Sequence, residues 1–113
     1  MTPDPLVKPD LLQGTLDMLV LRTLADEALH GYAIAQRIRL LSGDRLAIPQ
    51  GSLYPSLRRL ENQALLKGEW RTAPSGREAR VYRVTAKGRR RLDAELQQWR
   101  ELSLAIGLVL GAG

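Results

Sequence analysis

The chain has 113 residues, is 44% hydrophobic and contains neither cysteine nor phenylalanine; seventeen Lys and Arg against twelve Asp and Glu leave a net charge of +5. This composition excludes disulfides and thiolate-held metals, and one histidine with no spaced carboxylate cluster or Gly-rich phosphate loop supplies nothing for catalysis. The length fits one domain, and the basic balance favours a polyanionic partner, either nucleic acid or an acidic membrane surface.

Met1 to Pro9 reads as a loose arm, because Pro3, Pro5 and Pro9 disfavour helix and no apolar run suggests a signal peptide. Asp10 followed by Gln13 resembles a capping box that starts a first helix running to about Asp26. From Leu16 to Ala25 this helix is apolar nearly all round, which calls for burial on both sides. The second side is either the chain's own core or another subunit. A second helix begins at Leu29-His30-Gly31-Tyr32, keeps Ile34, Ile38 and Leu41 on one face, and stops at Ser42-Gly43-Asp44. His30, alone near a helix start, suits a capping role better than a metal ligand.

The third helix carries the most information. Pro55 must lie in its first turn, so it starts close to Gln50 to Ser52. Leu53, Leu57, Leu60 and Ala64 form an apolar spine, while Gly51, Pro55, Arg58, Arg59 and Asn62 point the other way with Ser52 and Tyr54 at the flanks. Two arginines, an asparagine and hydroxyls suit a DNA major groove, where arginine bonds guanine or holds phosphate. The same pattern also describes an ordinary amphipathic helix with a solvated face.

The period then changes to two. Leu66 and Trp70 share one face of a strand, and Lys67, Glu69 and Arg71 share the other. Tyr82 and Val84 share a face of a second strand, and turn chemistry at Pro74-Ser75-Gly76 makes the pair a hairpin. From Arg77 to Arg91 seven basic residues meet one acid, Glu78, which predicts a local cationic patch. Thr85 caps a last helix, in which Leu92, Leu96, Trp99, Ser103, Ile106 and Leu110 recur at spacings of 4, 3, 4, 3 and 4. That heptad seam predicts a dimer surface or a helix packed on its own domain. Leu102 to Gly113 is apolar but too short to span a bilayer.

The order of these parts predicts a mainly α fold with a small β-hairpin: a winged helix-turn-helix plus a long C-terminal helix. The divisions are residues 1–9 as arm, 10–85 as the winged helix-turn-helix and 86–113 as the dimerisation helix. Gly14-Thr15-Leu16-Asp17-Met18-Leu19, His30-Gly31-Tyr32-Ala33-Ile34-Ala35, Gly51-Ser52-Leu53-Tyr54-Pro55-Ser56-Leu57, and Tyr82-Arg83-Val84-Thr85 with Gly88 resemble the PadR family of bacterial transcriptional regulators. The resemblance covers about Leu12 to Leu110. It implies a cytoplasmic homodimer that represses transcription at inverted-repeat operators, dimerising through its first and last helices. The expected DNA-binding residues are Tyr32, Gly51, Ser52, Tyr54, Pro55, Arg58, Arg59, Arg77 and Arg80. The expected dimer residues are Leu16, Leu19, Leu92, Leu96, Trp99, Ile106 and Leu110.

Where the family often carries Arg-Lys-Tyr-Tyr on the second wing strand, this chain has Ala79-Arg80-Val81-Tyr82, so wing contacts rest more on Arg77 and Arg80. Some members of the family bind planar apolar effectors between aromatic residues at the dimer interface, so the resemblance makes Trp99 a candidate effector contact or a packed interface residue. No cofactor, metal or membrane partner is expected. Two other functions compete: a winged-helix module that binds an acidic protein, and a membrane-surface protein using Leu102 to Leu110.

Overall fold

A computed structural model describes residues 13–111. Four helices and three short strands follow in the order α1 (Gln13–Leu24), β1 (Leu29–His30), α2 (Gly31–Leu41), α3 (Gln50–Asn62), β2 (Leu66–Thr72), β3 (Glu78–Val84) and α4 (Ala86–Leu110). Helix α1 is the hub and packs against α2, α3 and α4. Leu16, Val20, Leu21 and Leu24 are buried there, so the chain's own elements cover most of its apolar circumference. Ile34 and Ile38 of α2, and Leu53, Leu57 and Leu60 of α3, close the core, together with Leu65, with Tyr82 and Val84 of β3 and with Leu92 of α4. The α1 helix ends at Leu24, two residues before the expected end, and the proposed Asp10 cap lies outside the described residues.

The sheet has one strand more than the expected hairpin. Leu29 and His30, expected at the start of the second helix, are extended and pair antiparallel with Tyr82 and Val81, giving the order β1-β3-β2. Two residues are too few to display a period of two. His30 then switches role: its Nδ1 accepts from the Ala33 amide at 3.3 Å and caps α2. The β2–β3 hairpin pairs in register from Leu66↔Val84 to Thr72↔Glu78. Its tip closes through Ala73 and Arg77, with Gly76 at φ 87°.

Two sequence expectations for α3 change. The helix begins at Gln50 as expected, but Pro55 is then its sixth residue, beyond the first turn. Proline has no N–H to give the Gly51 carbonyl four residues earlier, so that carbonyl has no intrahelical donor. Ala64 does not extend the leucine spine. It takes φ 60° outside the helix; the Ala64 amide bonds Glu61 O at 3.0 Å and the Leu65 amide bonds Leu60 O at 2.9 Å. These are the two bonds of a Schellman stop, with alanine where glycine is usual. Leu65 takes the core position that the periodicity assigned to Ala64.

Thr85 caps α4 as expected, accepting from the Gly88 amide at 3.0 Å. The first turn of α4 sits on the α3–β2 junction so tightly that a Cβ at Gly88 would lie 2.2 Å from the Leu65 carbonyl oxygen. Beyond Leu96 no residue of α4 is buried. Trp99, Leu102, Leu104, Ile106, Leu108, Val109 and Leu110 are all exposed.

Candidate nucleic-acid interface

The outward face of α3 is built by its inner face. Burying Leu53, Ser56, Leu57 and Leu60 turns Gly51, Tyr54, Pro55, Arg58 and Asn62 to solvent, with Ser52 half-buried at the edge. The N-cap, Pro49, has no side-chain acceptor for the first turn. Leading amides of α3 therefore remain available to an external acceptor, the arrangement that holds phosphate at a helix start. No Cβ at Gly51 would touch another part of the protein. Tyr54 is braced from behind, because a Cβ at Gly31 would lie 2.9 Å from its ring. The N-terminal end of α2 adds Tyr32, 58% exposed.

A groove of about 610 Å³ separates this helix pair from the hairpin, which stands beside α3 as a wing. Tyr32, Tyr54, Trp70, Arg77 and Arg80 are among the side chains that line it. The wing is fastened to α3 by Arg80. Its guanidinium bonds the Glu61 carboxylate and lies over the rings of Trp70 and Tyr82, 5.6 Å and 5.9 Å from their centroids. The space it occupies is left by Gly68, where a Cβ would come within 2.6 Å of Arg80 Nε. The Glu61 hydrogen bond pushes the Arg80 pKa further above its usual value. Burial pushes the Tyr82 phenol up, against the opposing pull of the Arg80 cation.

Several cations expected to face DNA are already partnered. Arg80 is committed to Glu61, and Arg59 to Asp17 of α1 at 2.9 Å. Most of the cationic patch expected from Arg77 to Arg91 is taken up in the same way. Arg83 shares Glu69 with Lys67 and Arg71 on the outer face of the wing, and Arg91 pairs with Glu95. Lys87 and Arg89 donate to the Gln63 and Ala25 carbonyls just past the ends of α3 and α1. Arg58 and Arg77 are exposed, and among the described residues neither forms an ion pair.

The expected dimer residues divide too. Leu16 and Leu92 are 3% and 5% exposed and belong to the chain's own core. Leu19 and Leu96 are half-buried, whereas Trp99, Ile106 and Leu110 are exposed. Trp99 borders a shallow cleft with Gly14, Thr15, Met18, Glu95 and Leu102 between α1 and α4. Sequence reasoning missed Asp17, Ser56, Glu61 and Trp70. Ser56 alone left a signal, a small polar residue on the leucine side of α3.

The family model for the transcriptional regulator PadR-like family matches residues 20–94, from the middle of α1 into α4. The chain belongs to the PadR-like family of transcriptional regulators. This PadR-like chain is 38% identical over 84 residues to transcriptional regulator Rv3488 of Mycobacterium tuberculosis, covering 74% of this chain and 75% of that protein. A PadR family transcriptional regulator from Eggerthella lenta has a similar structure, with TM-score 0.76 and 38% identity over 92% of this chain and 88% of that one. A transcriptional regulator from Clostridium thermocellum shares the fold at TM-score 0.80 and 23% identity, covering 87% and 95% of the two chains. No helix among the described residues is long and apolar enough to cross a membrane.

Proposed function

We propose that this PadR-like regulator is a repressor that binds duplex DNA as a homodimer, one α3 in each of two successive major grooves of an inverted repeat. The observation that carries this reading is the outward face of α3. It joins open leading amides, a glycine with free space above it and an exposed Arg58, beside a wing that carries an exposed Arg77, neither arginine ion-paired among the described residues. Arg58 reads base edges from α3. Ser52, Tyr54 and Tyr32 hold phosphates, Pro55 and Gly51 let the backbone approach, and Arg77 follows the strand from the wing tip. Arg59 and Arg80 shape this surface from their ion pairs.

The second copy is supported by α4, whose apolar residues from Trp99 to Leu110 are left exposed by the described residues of the chain. A small planar aromatic effector entering the cleft beside Trp99 would relieve repression by moving α4 against α1. Arg58→Ala should weaken binding to the preferred sequence by about 1–3 kcal/mol and flatten the preference at one base pair per half-site. Selection of bound duplexes from a random pool reads both. An unchanged preferred sequence at unchanged affinity would remove Arg58 from the reading role.

A further inference from the structure

Helix α3 carries adjacent arginines, and α1 treats them differently. Arg58 is exposed and lacks an ion pair among the described residues, while Arg59 is drawn back against α1. There the Asp17 carboxylate accepts from Arg59 Nη2 at 2.9 Å and from Arg59 Nε at 3.5 Å. The same carboxylate accepts from the hydroxyl of Ser56, a residue with no exposed surface. Asp17 and Arg59 keep only 20% and 34% of their side-chain surface in water, so the pair is shielded more than a surface ion pair.

A buried hydroxyl needs an acceptor, and a neutral amide oxygen would satisfy Ser56 equally well. The charge of Asp17 is therefore in excess of what Ser56 requires, and its partner is Arg59. Arg59 still borders the outward hollow formed by Tyr54, Pro55, Arg58 and Asn62. Once released, its guanidinium could reach that surface without any change in the backbone.

We propose that Asp17 is a specificity-determining residue that acts through Arg59. It withholds one of the two arginines from DNA, so each reading helix delivers a single mobile cation. Arg59 is a positioning residue that locks the orientation of α3 on α1. The inference rests on the DNA-reading function proposed above. A phosphate contact carries no sequence information, and on a mismatched duplex a freed Arg59 would take up phosphate where base contacts are lost, so neutralising Arg59 favours discrimination over bulk attraction.

The test measures duplex binding against salt for the preferred sequence and a scrambled one. Asp17→Asn keeps an acceptor for Ser56 and frees Arg59. Binding to scrambled DNA should tighten, its log–log salt slope should steepen by about 0.9 per released arginine, and discrimination should fall several-fold. In an Arg59→Met background the same Asp17→Asn change should add nothing. Arg59→Met alone should lower the melting temperature yet keep the preferred sequence, giving a readout that survives poor folding of Asp17→Asn. The proposal is overturned by an unchanged slope and discrimination in Asp17→Asn, or by a steepening that persists with Met at 59. A loss of discrimination of roughly 5- to 150-fold in Arg59→Met would also overturn it, by making Arg59 a base reader. Absence of salt-dependent duplex binding by the unaltered protein would instead defeat the DNA-reading function itself.

Discussion

Two glycines, Gly88 and Gly51, should respond to alanine in opposite ways. At Gly88 an added Cβ would lie 2.2 Å from the Leu65 carbonyl oxygen and 2.7 Å from Val84 Cγ2. Reaching ordinary contact at 3.4 Å requires α4 to lift by about 1.2 Å. That carbonyl also accepts from the Thr85 amide and hydroxyl at 3.0 and 3.1 Å, so lifting strains both bonds. Overpacking costs about 1–3 kcal/mol and the strained bonds about 1 more, while alanine regains about 1 kcal/mol of helix propensity. The net loss of about 2 kcal/mol should lower the melting temperature by roughly 8–16 °C at fixed protein concentration. At Gly51 a Cβ meets nothing in the protein, so alanine should leave melting unchanged or slightly raised. If DNA backbone approaches that spot, Gly51→Ala should still weaken duplex binding by about 1–3 kcal/mol. Thermal melts and duplex titrations on the same samples read both effects. A Gly88→Ala protein that melts at or above the parent temperature would refute the packing argument. A Gly51→Ala protein with parental DNA affinity would refute close approach at that point.

Ala64 sits at φ 60°, where a side chain costs about 1–2 kcal/mol, so Ala64→Gly should raise the unfolding free energy by about 1 kcal/mol in denaturant titration. A fall in stability would mean that the helix stop tolerates alanine without strain. The raised pKa of Tyr82 favours its neutral form in the fold. Stability is complete below the usual phenol value of 10.0 and is lost as pH rises through the folded value. Tyr82→Phe should therefore flatten the alkaline decline in melting temperature; an unchanged decline would place its cause elsewhere.

The helices were legible because burial repeats along them. Leu53, Leu57 and Leu60 fall on one face by spacing alone, and the structure buries all three. The Thr85 and His30 caps were legible for a local reason, since a cap is defined by its own residue and the amide three positions on. Long-range pairing was not legible. Nothing near Arg59 announces Asp17, 42 residues earlier, and nothing near Arg80 announces Glu61 on the neighbouring helix. Counting basic residues therefore overstated the free charge, because tertiary structure decides which cations remain unpaired. Strand β1 was hidden by its brevity, and Ala64 by a helical stop that uses alanine where glycine is the usual signal. The resemblance to the PadR family rested on short blocks of sequence. It pointed to the segment that forms α3, while the different pairing of Arg58 and Arg59 needed coordinates.

The central claim, that two α3 helices read one duplex, is tested most directly by hydroxyl-radical footprinting. The purified protein is bound to the duplex it selects from a random pool. The account predicts two protected patches on one face of the DNA, related by a two-fold axis and centred about 34 Å apart, near 10 base pairs. A single protected patch, or uniform weak protection with no preferred sequence, would contradict it.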